Sequence, residues 1–257
     1  MATQLTIRRY DSLTSTSSQA AALGDEAVHG TVVVTDCQTS GRGQRGNSWE
    51  AEPGMNLTFS LVLRPHGLAP ARQFELSMAS ALALVRVLEK HIGDAAGPVK
   101  LKWPNDIYVG NCKISGTLIE NVITSTTIER SIAGIGINVN QTEFRSDAPN
   151  PVSMAQLCGH TFNLGTLLAE FSQAVVDAVD AHLLSISEGR DAQKQLVDAY
   201  KRCLWRNDGN EYRWLDAAPG QTFMAQIDDV GADGMLRLRT ADGQVRTFAF
   251  KEVAAVL

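Results

Sequence analysis

Long apolar runs are absent from this chain, and so is any pairing pattern among its cysteines. No stretch approaches the ~20 consecutive apolar residues that a membrane-spanning helix needs. The opening MATQLTIRRY has no apolar signal core, so neither membrane insertion nor export is expected. The four cysteines, Cys37, Cys112, Cys158 and Cys203, stand far apart with no CxxC. That spacing argues against a zinc ribbon or a disulfide framework and for reduced thiols in a cytoplasmic protein. The five histidines stand singly, without HExxH or HxxxH, so no metal site is expected. Positive charge is not in excess either. With a formal net charge of −5, no global field draws the chain to nucleic acid or to an anionic membrane. What is left is a globular composition: 44% apolar over 257 residues, enough for one large domain with a small second one.

What the chain does have is concentrated first in residues 35–63, TDCQTSGRGQRGNSWEAEPGMNLTFSLVL. A β-branched run leads in and an alternating pattern leads out, so a long loop joins two strands. Within it Gly41, Gly43 and Gly46 interleave with Arg42 and Arg45. Glycine permits close backbone approaches that other residues forbid, and arginine brings a fixed charge and forked donors suited to phosphate or carboxylate. A loop this long in a compact domain is usually functional or disordered, and we expect a flexible flap over an anionic ligand. GRGQRG also satisfies the dinucleotide-binding fingerprint formally. That fingerprint needs a helix at its third glycine and an acid about twenty residues on. Here a turn-rich NSWEAEPG follows, SLVLRPHG carries no acid, and no GK[ST] is present. The context argues against a dinucleotide fold or a phosphate-binding Walker loop.

The other elements follow from periodicity and punctuation. Residues 5–10 read as a first strand, and TSTSSQAAALGDEA as hydroxyls capping an alanine-rich helix that Gly24 ends. One of Ser15, Thr16 and Ser17 suffices as the cap, which leaves a ligand-facing role open for the others. Residues 31–36 are a β-branched strand. Residues 56–63 are a strand with one buried face, since Leu57, Phe59, Leu61 and Leu63 alternate with Thr58, Ser60 and Val62. A long helix starts near Pro70, with Phe74, Met78, Ala81, Val85, Leu88 and Ile92 as its core stripe.

Strands at 99–102, 107–109 and 113–119 come next, the last two joined by a hairpin at Gly110-Asn111. In KWPND, Asn105 and Asp106 sit at a sharp turn, where bracing the backbone is their default role. Lys113, just past the hairpin, is by default solvated. Gly134 and Gly136 weaken a strand over 128–139 unless backbone or ligand approaches closely there, and Asn138 and Asn140 share one of its faces. Helices over 153–159, 164–186 and 191–203 follow. Composition changes at Arg206-Asn207-Asp208-Gly209, a candidate domain boundary. Beyond it, short strands at 222–230, 235–239 and 244–250, separated by Asp233-Gly234 and Asp242-Gly243, suggest a small SH3-like barrel.

Taken in order, TSTS before a helix, QTSGRGQRGNSW, KWPND, KISG, GIGIN and a terminal FKEV resemble class I biotin protein ligases, which attach biotin to carrier domains of carboxylases. The resemblance spans nearly the whole chain. It implies an α+β fold over residues 1–206, a mixed and mostly antiparallel sheet flanked by helices, related to class II aminoacyl-tRNA synthetases. A C-terminal SH3-like barrel over 207–257 completes it. The resemblance matches Ser15, Thr16, Ser17, Gln38, Arg42, Gly43, Gln44, Lys113, Gly116 and Leu118 to biotin-contacting positions. It matches Arg42, Trp49, Lys102, Asn105 and Asn138 to the ATP side. Many relatives carry asparagine where Ser17 stands and arginine where Gln44 stands, so the contacts at those two positions differ here. Some bacterial members begin with a helix-turn-helix domain, whereas this chain starts at the catalytic domain, so no DNA-binding role is expected.

The implied reaction is activation of biotin by ATP, with Mg²⁺ accompanying the nucleotide, to give biotinyl-5'-AMP and pyrophosphate. A lysine of a biotin carboxyl carrier domain then takes the biotin. The first step brings two anions together, which preorganised cations make feasible. Lys113 matches the lysine beside the biotin carboxylate, and Arg42 and Lys102 are placed to hold phosphates. In the second step the attacking amine must lose a proton, given a free pKa near 10.4, and Asp106 is the candidate to receive it. A homodimer is compatible with the resemblance. A lipoate- or octanoate-transferring enzyme shares the fold and the acyl chemistry, and a non-catalytic biotin sensor is the alternative outside enzymology.

Overall fold

The computed structural model describes residues 3–41, 49–93, 96–145 and 150–257. Seven strands form one sheet: Thr6–Leu13 (β1), Thr31–Gln38 (β2), Leu57–Leu63 (β3), Val99–Lys102 (β4), Asp106–Val109 (β5), Cys112–Ile123 (β6) and Ile128–Ile137 (β7). Their spatial order is β1-β2-β3-β7-β6-β5-β4. Only β1 and β2 pair in parallel, and the crossover that parallel pairing requires is made by Thr16–Ala22 (α1). Every other neighbouring pair is antiparallel. The sheet is therefore mixed and mostly antiparallel, as expected.

One face of the sheet is covered by Phe74–Ile92 (α2) and by two later helices. After the five-residue Met154–Cys158 (α3) come Leu164–Ser187 (α4) and Ala192–Cys203 (α5). The main apolar cluster joins Leu57, Phe59, Leu61 and Leu63 of β3 and Ala133, Ile135 and Ile137 of β7 to α2 and α4. Expectation and structure differ at β3, because all seven of its residues are buried. Alternation correctly identified the α2 side. The Thr58, Ser60 and Val62 side is covered as well, because α1 folds back over it and packs Ala20 near Val62. At α2, Pro70 opens a single 3-10 turn, and the α-helix proper begins at Phe74.

The charge inside this helical layer was not foreseen. Glu75 is fully buried, and its carboxylate accepts hydrogen bonds from Arg72 (2.7 and 2.9 Å), His182 (2.6 Å) and Gln193 (2.6 Å). Burial alone raises a carboxyl. The three donors and the Arg72 charge outweigh it and hold Glu75 down at about 2.

Beyond α5, Tyr212–Asp216 (β8), Gln221–Val230 (β9), Leu236–Arg239 (β10), Val245–Phe248 (β11) and Val253–Ala255 (β12) form a second sheet, in order β11-β10-β9-β8-β12. It is antiparallel throughout. The ladder is open, with β11 and β12 at its edges. The expected strands became β9, β10 and β11; β8 and β12, of five and three residues, were not foreseen. Among the described residues, no helix is long and apolar enough to cross a membrane.

Candidate active site

The site begins with missing side chains. Gly116 on β6 and Gly136 on β7 face each other across the ladder, and Gly134 pairs with Leu118 on one side and Ser60 on the other. Together they leave a bare trough on the sheet face that α2 and α4 do not cover. The Trp49 indole fills part of it, so closely that a Cβ at Gly136 would fall among its ring atoms, and one at Gly116 would lie 3.3 Å from it. Close approach is thus the reason glycine is tolerated inside these strands. The two described ends of the flap loop meet here, where Trp49 N–H donates to Gly41 O at 3.2 Å. Arg42, Gly43 and Gln44 lie outside the described residues.

Hydroxyls line one end of the trough. Ser15 is the helix cap, its Oγ accepting from Ser18 N–H at 3.4 Å. Thr16 and Ser17 point inward instead. Their hydroxyls lie 2.8 and 3.0 Å from Ser60 Oγ, and Ser17 Oγ would stand 2.6 Å from a Cβ on Gly134. Gln38 closes this end, its Oε1 accepting from Thr16 N–H at 2.9 Å. Sequence reasoning missed Ser60, since its alternation with apolar residues placed it on an outward face. Leu118, half-buried, continues the wall.

Charges line the other end. Lys113 Nζ sits 2.7 Å from Asp106 Oδ1, with both side chains about three-quarters or more shielded, and 5.6 Å from the centre of a Trp49 ring. The lysine's backbone is held separately: its N–H donates to Asn150 O, its carbonyl accepts from Val152 N–H, and Asn138 Nδ2 also reaches that carbonyl. Lys102 pairs with Asp106 across β4 and β5, and its ammonium donates to Tyr108 Oη at 3.0 Å. Burial pulls that ammonium below its usual range; Asp106 opposes the shift, while Lys113 and Arg206 add to it. Arg206, read from sequence only as part of a boundary, brings a further cation to this end. Its guanidinium stacks 3.9 Å from Trp205 and 4.6 Å from Tyr212 and donates to Val256 O.

Two of the matched asparagines do structural work. Asn105 Nδ2 donates to Thr117 O at 2.5 Å, and its own carbonyl accepts from Thr117 N–H at 3.0 Å, so it braces the turn, its default role. Asn138 is buried and spends Nδ2 on Lys113 O and Val152 O. Its Oδ1 is a buried acceptor with no partner among the described residues. Asn140, on the same face, is fully engaged with the Phe162 backbone. The structure thus brings Thr16, Ser17, Gln38, Trp49, Gly116, Leu118, Lys113, Asp106, Lys102 and Asn138 to one face of one sheet. Such a trough suits a ligand with a polar head at one end and a carboxylate at the other.

A family model described as biotin/lipoate A/B protein ligase family matches residues 9–138. The bifunctional ligase/repressor BirA of Bacillus spizizenii is 33% identical over 246 residues, covering 91% of this chain and 69% of that protein. The Bacillus subtilis protein of the same name is 38% identical over 134 residues, 51% of this chain but only 40% of its own length. Among solved structures, a biotin protein ligase from Aquifex aeolicus in complex with biotin and ATP superposes with a TM-score of 0.75 over 97% of this chain and 98% of that one, at 23% identity. At that identity the likeness is one of fold.

Proposed function

The chain belongs to the biotin/lipoate A/B protein ligase family, and from that premise we propose that it is an ATP-dependent biotin protein ligase. The observation that carries the reading is the ion pair of Lys113 with Asp106, 2.7 Å long, at the far end of a glycine-floored trough from the hydroxyls of Thr16 and Ser17. The ureido ring of biotin would exchange hydrogen bonds with Thr16, Ser17 and Gln38. Its carboxylate would take over Lys113 from Asp106. A carboxylate oxygen then attacks the α-phosphorus of ATP, the bond from that phosphorus to the β-bridging oxygen breaks, and pyrophosphate leaves. Lys113 offsets the charge first on the carboxylate and then on the new bridging oxygen, in a setting where preorganised charge counts most. Trp49, Lys102 and Asn138 serve the nucleotide side, with Asn105 holding the turn next to Lys102. Arg42 is assigned to the phosphates by its place in the flap.

Mg²⁺ belongs to this reading as the nucleotide's companion. Among the described residues no group of three or more His, Cys, Asp or Glu side chains could hold a metal ion, so we place it on the phosphates. The C-terminal sheet we read as the small SH3-like barrel of the family, over 207–257, with 1–206 as the catalytic domain. A bulge between Arg237 and Leu238 supplies curl toward closure. The partner is a biotin carboxyl carrier domain, not nucleic acid or membrane, and a homodimer is compatible with the proposal. Four free thiols favour the cytoplasm.

The deciding experiment is pyrophosphate release from ATP in the presence of biotin or lipoate, followed by transfer to a carrier domain. Release with biotin alone supports the ligase. Release with lipoate would assign the chain to the other branch of the family, and biotin binding without release would make it a sensor.

In the transfer step a carrier amine attacks the adenylate carbonyl, AMP departs, and the ammonium proton must be taken up. Asp106 is released from Lys113 when the biotin carboxylate arrives, which frees it for that task. Asp106→Asn is therefore expected to slow transfer about a hundredfold, the scale of a lost general base, while sparing pyrophosphate release. Equal losses in both half-reactions would reduce Asp106 to a partner of Lys113.

A further inference from the structure

The 102–106 turn carries Lys102 and Asp106, and besides Asn105's bonds to Thr117 within the sheet it is fastened from outside its own sheet. Trp103 Nε1 donates to Gly234 O at 2.9 Å, in the turn between β9 and β10 of the C-terminal sheet. The Trp103 ring stands edge-on to Phe250, centroids 6.2 Å apart. Gly234 has φ +85° and lies so close to the Phe74 ring that an added Cβ would sit 2.9 Å from it. Phe74 in turn meets Tyr200 edge-on at 5.7 Å, and Tyr200 Oη donates to Pro104 O at 3.1 Å. The Gly234 turn is itself stiff: Gly234 N–H donates to Gly231 O, Gly231 N–H to Met235 O, and Met235 N–H to Asp233 Oδ1. A second latch, Asp229 of β9 to Lys201 of α5 at 2.7 Å, holds the same corner.

We infer that the 231–235 turn is a positioning device for the ligase reaction, and that Trp103 is the positioning residue through which it sets Lys102 and Asp106. The inference rests on the ligase reading for its kinetic consequence but not for its structural one. Neither Trp103 nor Gly234 touches the trough, so their effect would be on turnover rather than on biotin affinity.

Three full-length variants test this. Gly234→Ala forces the turn off Phe74. Trp103→Phe keeps a ring but deletes the donor. Gly243→Ala is the control, because Gly243 closes the neighbouring hairpin at nearly the same φ, +84°, with nothing within 4 Å, so it carries the strain without the contact. Gly234→Ala and Trp103→Phe should each lower kcat for biotin-dependent ATP–pyrophosphate exchange about tenfold, a modest misplacement of a charged group, with the biotin KM held within about twofold. The amides of Thr117 and Trp205, which donate to Asn105 O and Leu101 O at and beside the turn, should exchange with deuterium about tenfold faster in both, and as in wild type for Gly243→Ala. Amide exchange and turnover no different from Gly243→Ala would overturn the inference. So would faster amides with unchanged turnover. If the wild-type protein shows no biotin-dependent exchange, the ligase reading falls, and unaltered amides would then dispose of the positioning contact separately.

Discussion

Lys113→Ala should lose about a thousandfold in biotin-dependent ATP–pyrophosphate exchange while melting within a few degrees of the parent. The size follows from the chemistry. A preorganised charge aimed at an oxygen that becomes more negative in the transition state is worth on the order of 10²- to 10³-fold, or about 4 kcal/mol at the upper end. Among the described residues the two nearest cations are engaged elsewhere: Lys102 donates to Tyr108 Oη, and Arg206 stacks between Trp205 and Tyr212. The fold should tolerate the change because the position is held by backbone bonds to Asn150 and Val152, and the side chain is already about a quarter exposed. Exchange within tenfold of wild type would remove Lys113 from the mechanism. A collapse in melting temperature would show that the ion pair is structural.

The second large effect is on stability. Glu75→Ala should destabilise the protein by about 3 to 5 kcal/mol, the usual result of removing one partner from a buried charged network, since Arg72, His182 and Gln193 would all lose their shared acceptor. The same network makes stability depend on pH. The folded carboxyl is held at about 2 against an ordinary 4.5, so the folded state favours the ionised form. The contribution is complete above pH 4.5, fades as pH falls through the interval, and is gone near pH 2. The depression corresponds to ~3 kcal/mol. Melting curves of wild type and Glu75→Gln between pH 6 and 3 test this. The wild type should lose stability more steeply below pH 4.5, and parallel curves would mean that Glu75 does not carry the dependence.

Much of the site was legible before any coordinates. Glycines inside a strand announced a close approach at 134 and 136, and Trp49 and Ser17 supply it. One hydroxyl of three was expected to cap α1, and Ser15 does. The bracing role at KWPND went to Asn105, as a short amide after proline suggests. Lys113 shows the limit. A lysine two residues past a hairpin turn looks solvated, and only the register of β5 on β6, with its shift between Ile107 and Tyr108, puts its ammonium beside Asp106.

Local signals therefore determined most of the elements, the turns and the small residues on which a ligand can lie, because period and backbone freedom act over a few positions. The family motifs were likewise readable, since they are runs of adjacent residues. What lies across the sheet was decided only by tertiary structure. Ser60 joins the hydroxyl end because α1 folds over β3. Glu75 is ionised in the core because α4 and α5 bring His182 and Gln193 to it. Arg206 enters the charged end because its guanidinium, stacked on Trp205 and Tyr212, also donates to Val256 O, 50 residues on. Each of these depends on partners far apart in the chain, and neither hydropathy nor spacing records which face a distant segment will cover.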